Sequence, residues 1–97
     1  MFLFEQLLSP KVRLQMVVSG VTPENAHLIK NSIQTWGLPG RIRMQGAGHM
    51  DVEIEGRQVS ITHKLEELAH NPLMSHSSIQ TRWLPYTGVY HFMSVTF

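Results

Sequence analysis

Gly37-Leu38-Pro39-Gly40-Arg41-Ile42-Arg43-Met44-Gln45-Gly46-Ala47-Gly48-His49-Met50-Asp51-Val52-Glu53-Ile54-Glu55-Gly56 reads as two alternating runs joined by a glycine-rich turn. Ile42 and Met44 alternate with Arg41 and Arg43, and Val52 and Ile54 alternate with Asp51, Glu53 and Glu55. A period of two is that of strands with one face in a core. Gly46-Ala47-Gly48-His49 supplies residues that tolerate positive φ between the runs, so a hairpin is expected. A register with Ile42 opposite Ile54 and Met44 opposite Val52 places all four in the core. It sets Arg41 against Glu55 and Arg43 against Glu53 on the other face.

Upstream, Val12, Leu14, Met16 and Val18 alternate with Arg13, Gln15, Val17 and Ser19, the pattern of a first strand. Thr22-Pro23-Glu24 then gives a cap, a proline at the first helical position and an acid in the first turn, and Gly37 gives the stop. Ala26, Ile29, Ile33 and Trp36 form the helical stripe between them. Downstream, Ser60 or Thr62 is expected to cap a second helix through His70 with Leu65, Leu68 and Ala69 buried, ended by Asn71-Pro72. A strand follows in which Ile79, Thr81 and Trp83 alternate with Ser78, Gln80 and Arg82, and a last strand runs over Val89–Val95 after a turn. The order β-α-β-β-α-β with an additional C-terminal strand is the ferredoxin-like α+β pattern, an antiparallel sheet with two helices on one face.

The chain of 97 residues, 42% hydrophobic, has the size of one domain, 1–97. A formal net charge of +1 and a charged fraction of 15% name no partner by charge. Without cysteine there is no disulfide framework, thiolate metal site or thiol nucleophile, and a cytoplasmic setting is the expectation. Residues 1–10 read as an apolar extension. Its Phe2, Leu3, Phe4, Leu7 and Leu8 lack a basic leader, are interrupted by Glu5 and are too few to cross a bilayer. They read either as a docked strand or helix or as a contact for a partner or a second protomer.

The glycine pattern resembles that of the acylphosphatases, in which a G-L-x-G-x-V segment leads into a hairpin reading N-x-x-x-G-x-V-E-x-x-x-x-G. Met44, Gly48, Met50, Asp51 and Gly56 fall on those hairpin positions, with Met44 in place of the asparagine. The resemblance implies a domain whose relatives hydrolyse a carboxyl-phosphate anhydride without a cofactor. In those relatives the loop after the first strand, typically G-x-V-Q-G-V-x-F-R, surrounds the phosphate with backbone N–H groups and an arginine, and the asparagine orients water. Here the corresponding stretch is Gly20-Val21-Thr22-Pro23-Glu24-Asn25-Ala26, two residues shorter, with Ala26 at the arginine position. Pro23 has no N–H, Glu24 adds a negative charge, and the Met44 thioether is a weak acceptor. Lys30, one turn later, reads as a solvated residue on the outer helix face. The resemblance therefore implies a degenerate, non-catalytic domain that works through contact with a protein partner or another copy of itself.

Competing readings rest on thinner signals. A divergent acyl-phosphate hydrolase needs a rebuilt phosphate site. A metal site could draw on His63, His70 and His76, yet no H-x-x-x-H or H-E-x-x-H pair is present. An anion- or RNA-binding face could use Arg13, Arg41, Arg43 and Arg82, with Arg13 and Arg82 as candidate contacts. That face also carries Asp51, Glu53 and Glu55, and the first two strands have no aromatic residue on which to stack bases.

Overall fold

The computed structural model describes residues 9–46 and 48–97, so the apolar segment Phe2, Leu3, Phe4, Leu7 and Leu8 lies outside the described residues. The elements run β1 (Lys11–Ser19), α1 (Pro23–Gln34), β2 (Gly40–Gln45), β3 (His49–Arg57), α2 (Gln58–Ala69), a 3-10 turn (Pro72–Met74), β4 (Ser78–Pro85) and β5 (Met93–Thr96). The strands form one sheet in the order β4-β1-β3-β2-β5. Two split βαβ units interlock: β3 is inserted between β1 and β2, and β1 between β3 and β4. All these pairs are antiparallel, but β5 joins β2 in parallel, so the sheet is mixed rather than wholly antiparallel.

Alternation decides which face is dry. Leu14, Met16 and Val18 from β1, Ile42 from β2, and Met50, Val52 and Ile54 from β3 are buried together with Ala26, Ile29 and Ile33 of α1 and Ile61 and Leu68 of α2. Each of the buried valine, leucine, isoleucine and methionine side chains contributes roughly 1.5 to 3 kcal/mol relative to exposure. α1 starts as its sequence requires: Thr22 Oγ1 accepts from Asn25 N at 3.2 Å, and Pro23 occupies the first turn. α2 starts earlier than expected and uses neither Ser60 nor Thr62 as its cap. Ser9 Oγ accepts from Val59 N at 3.0 Å and the Pro10 carbonyl from Gln58 N, so orphan helix donors are satisfied by chain entering β1. Ala69 faces out, leaving Ile61 and Leu68 as the buried stripe with Leu65 packed beside them.

The hairpin register departs from expectation by two residues. Ile42 lies opposite Val52, Met44 opposite Met50, Arg41 opposite Glu53 and Arg43 opposite Asp51. A two-residue shift preserves which side chains face the core and changes only their partners. Its cause lies in the turn. The pair Gln45–His49 closes a three-residue loop whose last residue, Gly48, has φ +77°. Three-residue hairpin loops end in the left-handed region, and the expected register would have forced His49 into it.

The last strand is also shorter than expected, because Tyr86–Phe92 is used in crossing from the β4 edge to the β5 edge. Glu55, placed by sequence on the exposed face, is only 1% exposed because this crossing covers it. Its carboxylate accepts from Thr87 N and Thr87 Oγ1, both at 2.7 Å, and from Gly88 N at 3.1 Å. Hydrogen bonds to a buried carboxylate offset its desolvation and hold the strap in place.

Two glycines separate close packing from backbone conformation. A Cβ on Gly40 would collide with the Glu53 carbonyl, whereas one on Gly37 would meet nothing but sit at φ +71°. Gly40→Ala is expected to cost about 3 kcal/mol, the upper part of the overpacking range, and Gly37→Ala about 1 kcal/mol from left-handed strain alone. Denaturant unfolding of both variants checks this; equal losses would contradict the β2–β3 geometry.

Candidate functional site

A cleft of about 250 Å³ opens where the β1–α1 loop meets the β2–β3 turn. Val21, Pro23 and Ala26 form one wall, Met44, Gln45, Gly46, Gly48 and His49 the other, and His27 and Phe97 stand at its side. Thus Ala26 and Met44, eighteen positions apart in sequence, line the same hollow. The loop and turn are joined by a long Val21 N–H bond to the Gly48 carbonyl at 3.4 Å, and Ser19 Oγ lies 3.2 Å from His49 Nδ1. Neither arginine nor lysine lines the cleft.

Three backbone donors of the loop are committed. Val21 N–H goes to Gly48, Asn25 N–H to the Thr22 side chain, Ala26 N–H to the Thr22 carbonyl at 2.8 Å, and Pro23 has none. Those four positions leave no N–H to converge on an oxyanion. Lys30 is half-buried rather than simply solvated, with its Nζ 5.8 Å from the centre of the Phe97 ring, whose other neighbour is the His27 ring at 5.9 Å. His27, His49 and Phe97 were not singled out by sequence. No local motif marks them, since they meet only when helix, turn and chain end converge.

The open sheet face holds a second cluster. Glu53 accepts from Arg41 at 2.9 Å, from Arg13 at 3.5 Å and from the Tyr90 hydroxyl at 2.9 Å. One carboxylate therefore takes two guanidiniums, where the sequence reading gave Arg41 to Glu55 and Arg43 to Glu53. Asp51, opposite Arg43, accepts from Gln45 Nε2. Arg13 Nε is buried without a hydrogen-bond partner. Arg82 is not gathered into the Glu53 cluster; it borders a separate hollow of about 270 Å³ with Gln15, Val17 and Gln80. The histidines considered as ligands are not assembled: His70 Nδ1 is 2.8 Å from the Glu66 carbonyl, and no group of three metal-ligating side chains is present among the described residues. No helix among them is long and apolar enough to cross a membrane.

Burial raises the Tyr90 hydroxyl pKa above its ordinary value, and the hydrogen bond to Glu53 and the Glu53 charge add to this; Arg41 and Arg13 oppose it. The folded chain thus holds this proton to higher pH than the unfolded chain. Its contribution is complete below about pH 10, the ordinary tyrosine value, and declines as pH rises through the folded pKa. Denaturant unfolding from neutral to strongly alkaline pH is expected to show a steeper alkaline loss for the natural chain than for Tyr90→Phe. Parallel curves would dismiss the Glu53–Tyr90 linkage.

No family model matches the chain, and no curated protein matches it. Solved structures do. The acylphosphatase from Bacillus subtilis has a TM-score of 0.71 at 13% identity over 89% of this chain and 99% of that one. Full-length HypF in its phosphate- and nucleotide-bound form has a TM-score of 0.71 at 21% identity, over 93% of this chain but 12% of that one. BlrB, a BLUF protein in its dark state, has a TM-score of 0.67 at 16% identity over 92% of this chain and 74% of that one. The fold is acylphosphatase-like, of the ferredoxin α+β type. Its occurrence in a BLUF protein as well means that the fold alone selects no chemistry.

Proposed function

We propose that this chain is an acylphosphatase-like domain that has lost acyl-phosphate hydrolysis and acts through contact with another protein or with its own copies in the cytoplasm. The observation carrying the reading is the shared cleft of Ala26 and Met44, walled largely by apolar groups and lined by no arginine or lysine. An arginine on a transferring phosphoryl group is worth about 10³ to 10⁵ in rate, and a thioether cannot replace an amide that directs water. The N–H groups of Val21, Asn25 and Ala26 are committed elsewhere, which weakens the backbone part of the same machinery. Contact is favoured by exposed Leu28, Val89, Phe92 and Phe97 and by the apolar residues Phe2, Leu3, Phe4, Leu7 and Leu8.

Benzoyl phosphate hydrolysis by the purified chain is expected to equal buffer background. The double substitution Ala26→Arg with Met44→Asn is expected to remain inactive, because the loop stays two residues shorter and keeps Pro23, which has no N–H. Saturable turnover that disappears in Lys30→Ala would overturn the reading in favour of a rebuilt hydrolase. For the contact itself, a chain beginning at Ser9 retains the α2 cap. Sedimentation beside the full chain is expected to show weaker association without Phe2–Leu8; identical profiles would assign that segment to packing within its own domain.

A further inference from the structure

The sheet has two ends of unequal kind. β5 is four residues long, whereas β4 presents eight residues with no strand on its outer side among the described residues. Natural proteins shorten, charge or cover such edges, because unpaired N–H and C=O groups template another strand. Among the described residues β4 is guarded by Arg82 and by Pro85 at its end, and it carries Trp83 41% exposed. We propose that the β4 edge is a self-association surface on which a second copy of this chain pairs antiparallel, in one register centred on Thr81. The proposal rests on the reading of the domain as a contact module.

The register follows from side-chain complementarity. The β1–β4 pairing puts Ile79, Thr81 and Trp83 on the helix-covered side, opposite Val18, Met16 and Leu14, and Gln80 and Arg82 on the open side, opposite Val17 and Gln15. A two-fold axis perpendicular to the sheet keeps each side on its own side, which forbids shifts that set Ile79 against Leu84. With the axis at Thr81, Thr81 meets itself, Ile79 meets Trp83 twice, and Gln80 meets Arg82 twice. Threonine pairs and aromatic–β-branched pairs are the favourable cross-strand combinations. Moving the axis to Arg82 sets two guanidiniums directly opposite and wastes Ile79 on Pro85. Moving it to Gln80 leaves Trp83 beyond β4 of the partner. One arrangement thus pairs Ile79 with Trp83 on both sides of the axis and separates the like charges.

The chain has no cysteine, so a single introduced thiol reports on the register without background. Directly opposite residues have Cβ atoms about 4.5 to 5.5 Å apart and diagonal ones about 7 to 8 Å, and a disulfide needs the shorter spacing. Full-length Thr81→Cys is expected to cross-link to twice the 11.1 kDa of one chain under mild oxidation. Gln80→Cys or Arg82→Cys alone is expected not to, while a mixture of those two is. Thr81→Lys, which puts like charges at the axis, is expected to weaken the dimer seen by sedimentation at least tenfold with an unchanged circular dichroism spectrum. A monomeric mass for the natural chain overturns the proposal, as does self-linking of Arg82→Cys. So does a Thr81→Cys link that forms only after residues 1–8 are removed, since the edge would then be covered in cis. None of these outcomes alters benzoyl phosphate turnover, so the non-catalytic reading stands or falls separately.

Discussion

The buried carboxylate of Glu55 is the constraint on which the architecture turns. A chain that ends β4 at one edge of the sheet must reach the opposite edge to add β5 beside β2, and it has only residues 86–92 in which to do so. Three hydrogen bonds from Thr87 and Gly88 pin that strap over the central strand. Buried and unpaired, the same carboxylate would be strongly destabilising. The strap and the carboxylate therefore depend on each other. Phe92 continues this path: its carbonyl accepts from Gly40 N at 3.1 Å just before β5 begins.

β3 joins the two faces of the domain. Its inward residues, Met50, Val52 and Ile54, complete the core under the helices, while Glu53 gathers Arg13, Arg41 and Tyr90 on the other side. The open face is thereby largely neutralised from its centre, with Arg43 and Arg82 toward its flanks. This distribution argues against a continuous cationic track for a nucleic-acid backbone, which needs uncompensated charge along the strand path.

The cleft at the β1–α1 loop separates what topology supplies from what side chains supply. Its walls come from the same connections that position Ala26 and Met44, so the hollow is a product of topology. What a hollow can do depends on which groups enter it. Here the lining consists of apolar walls, two imidazoles and an aromatic ring, with neither arginine nor lysine.

Local patterns made much of this legible in advance. The alternation of β1 and of the hairpin, the Thr22-Pro23 helix start and the stop at Gly37 each depend on residues within a turn or two, and the element order follows from them. Parity also survived an incorrect hairpin register, because a shift of two leaves the inward set unchanged. The partners did not survive it. Whether Arg41 meets Glu53 or Glu55 depends on which loop residue takes the left-handed conformation, and Gly46 and Gly48 both invite it. Glu55 looked solvent-facing since alternation identifies a face but not what later crosses it. The Ser9 cap on α2, the Tyr90–Glu53 bond and the meeting of Phe97 with His27 span 50, 37 and 70 positions respectively. Short-range periodicity carries no information at such separations; only the closing of the sheet brings these groups within reach.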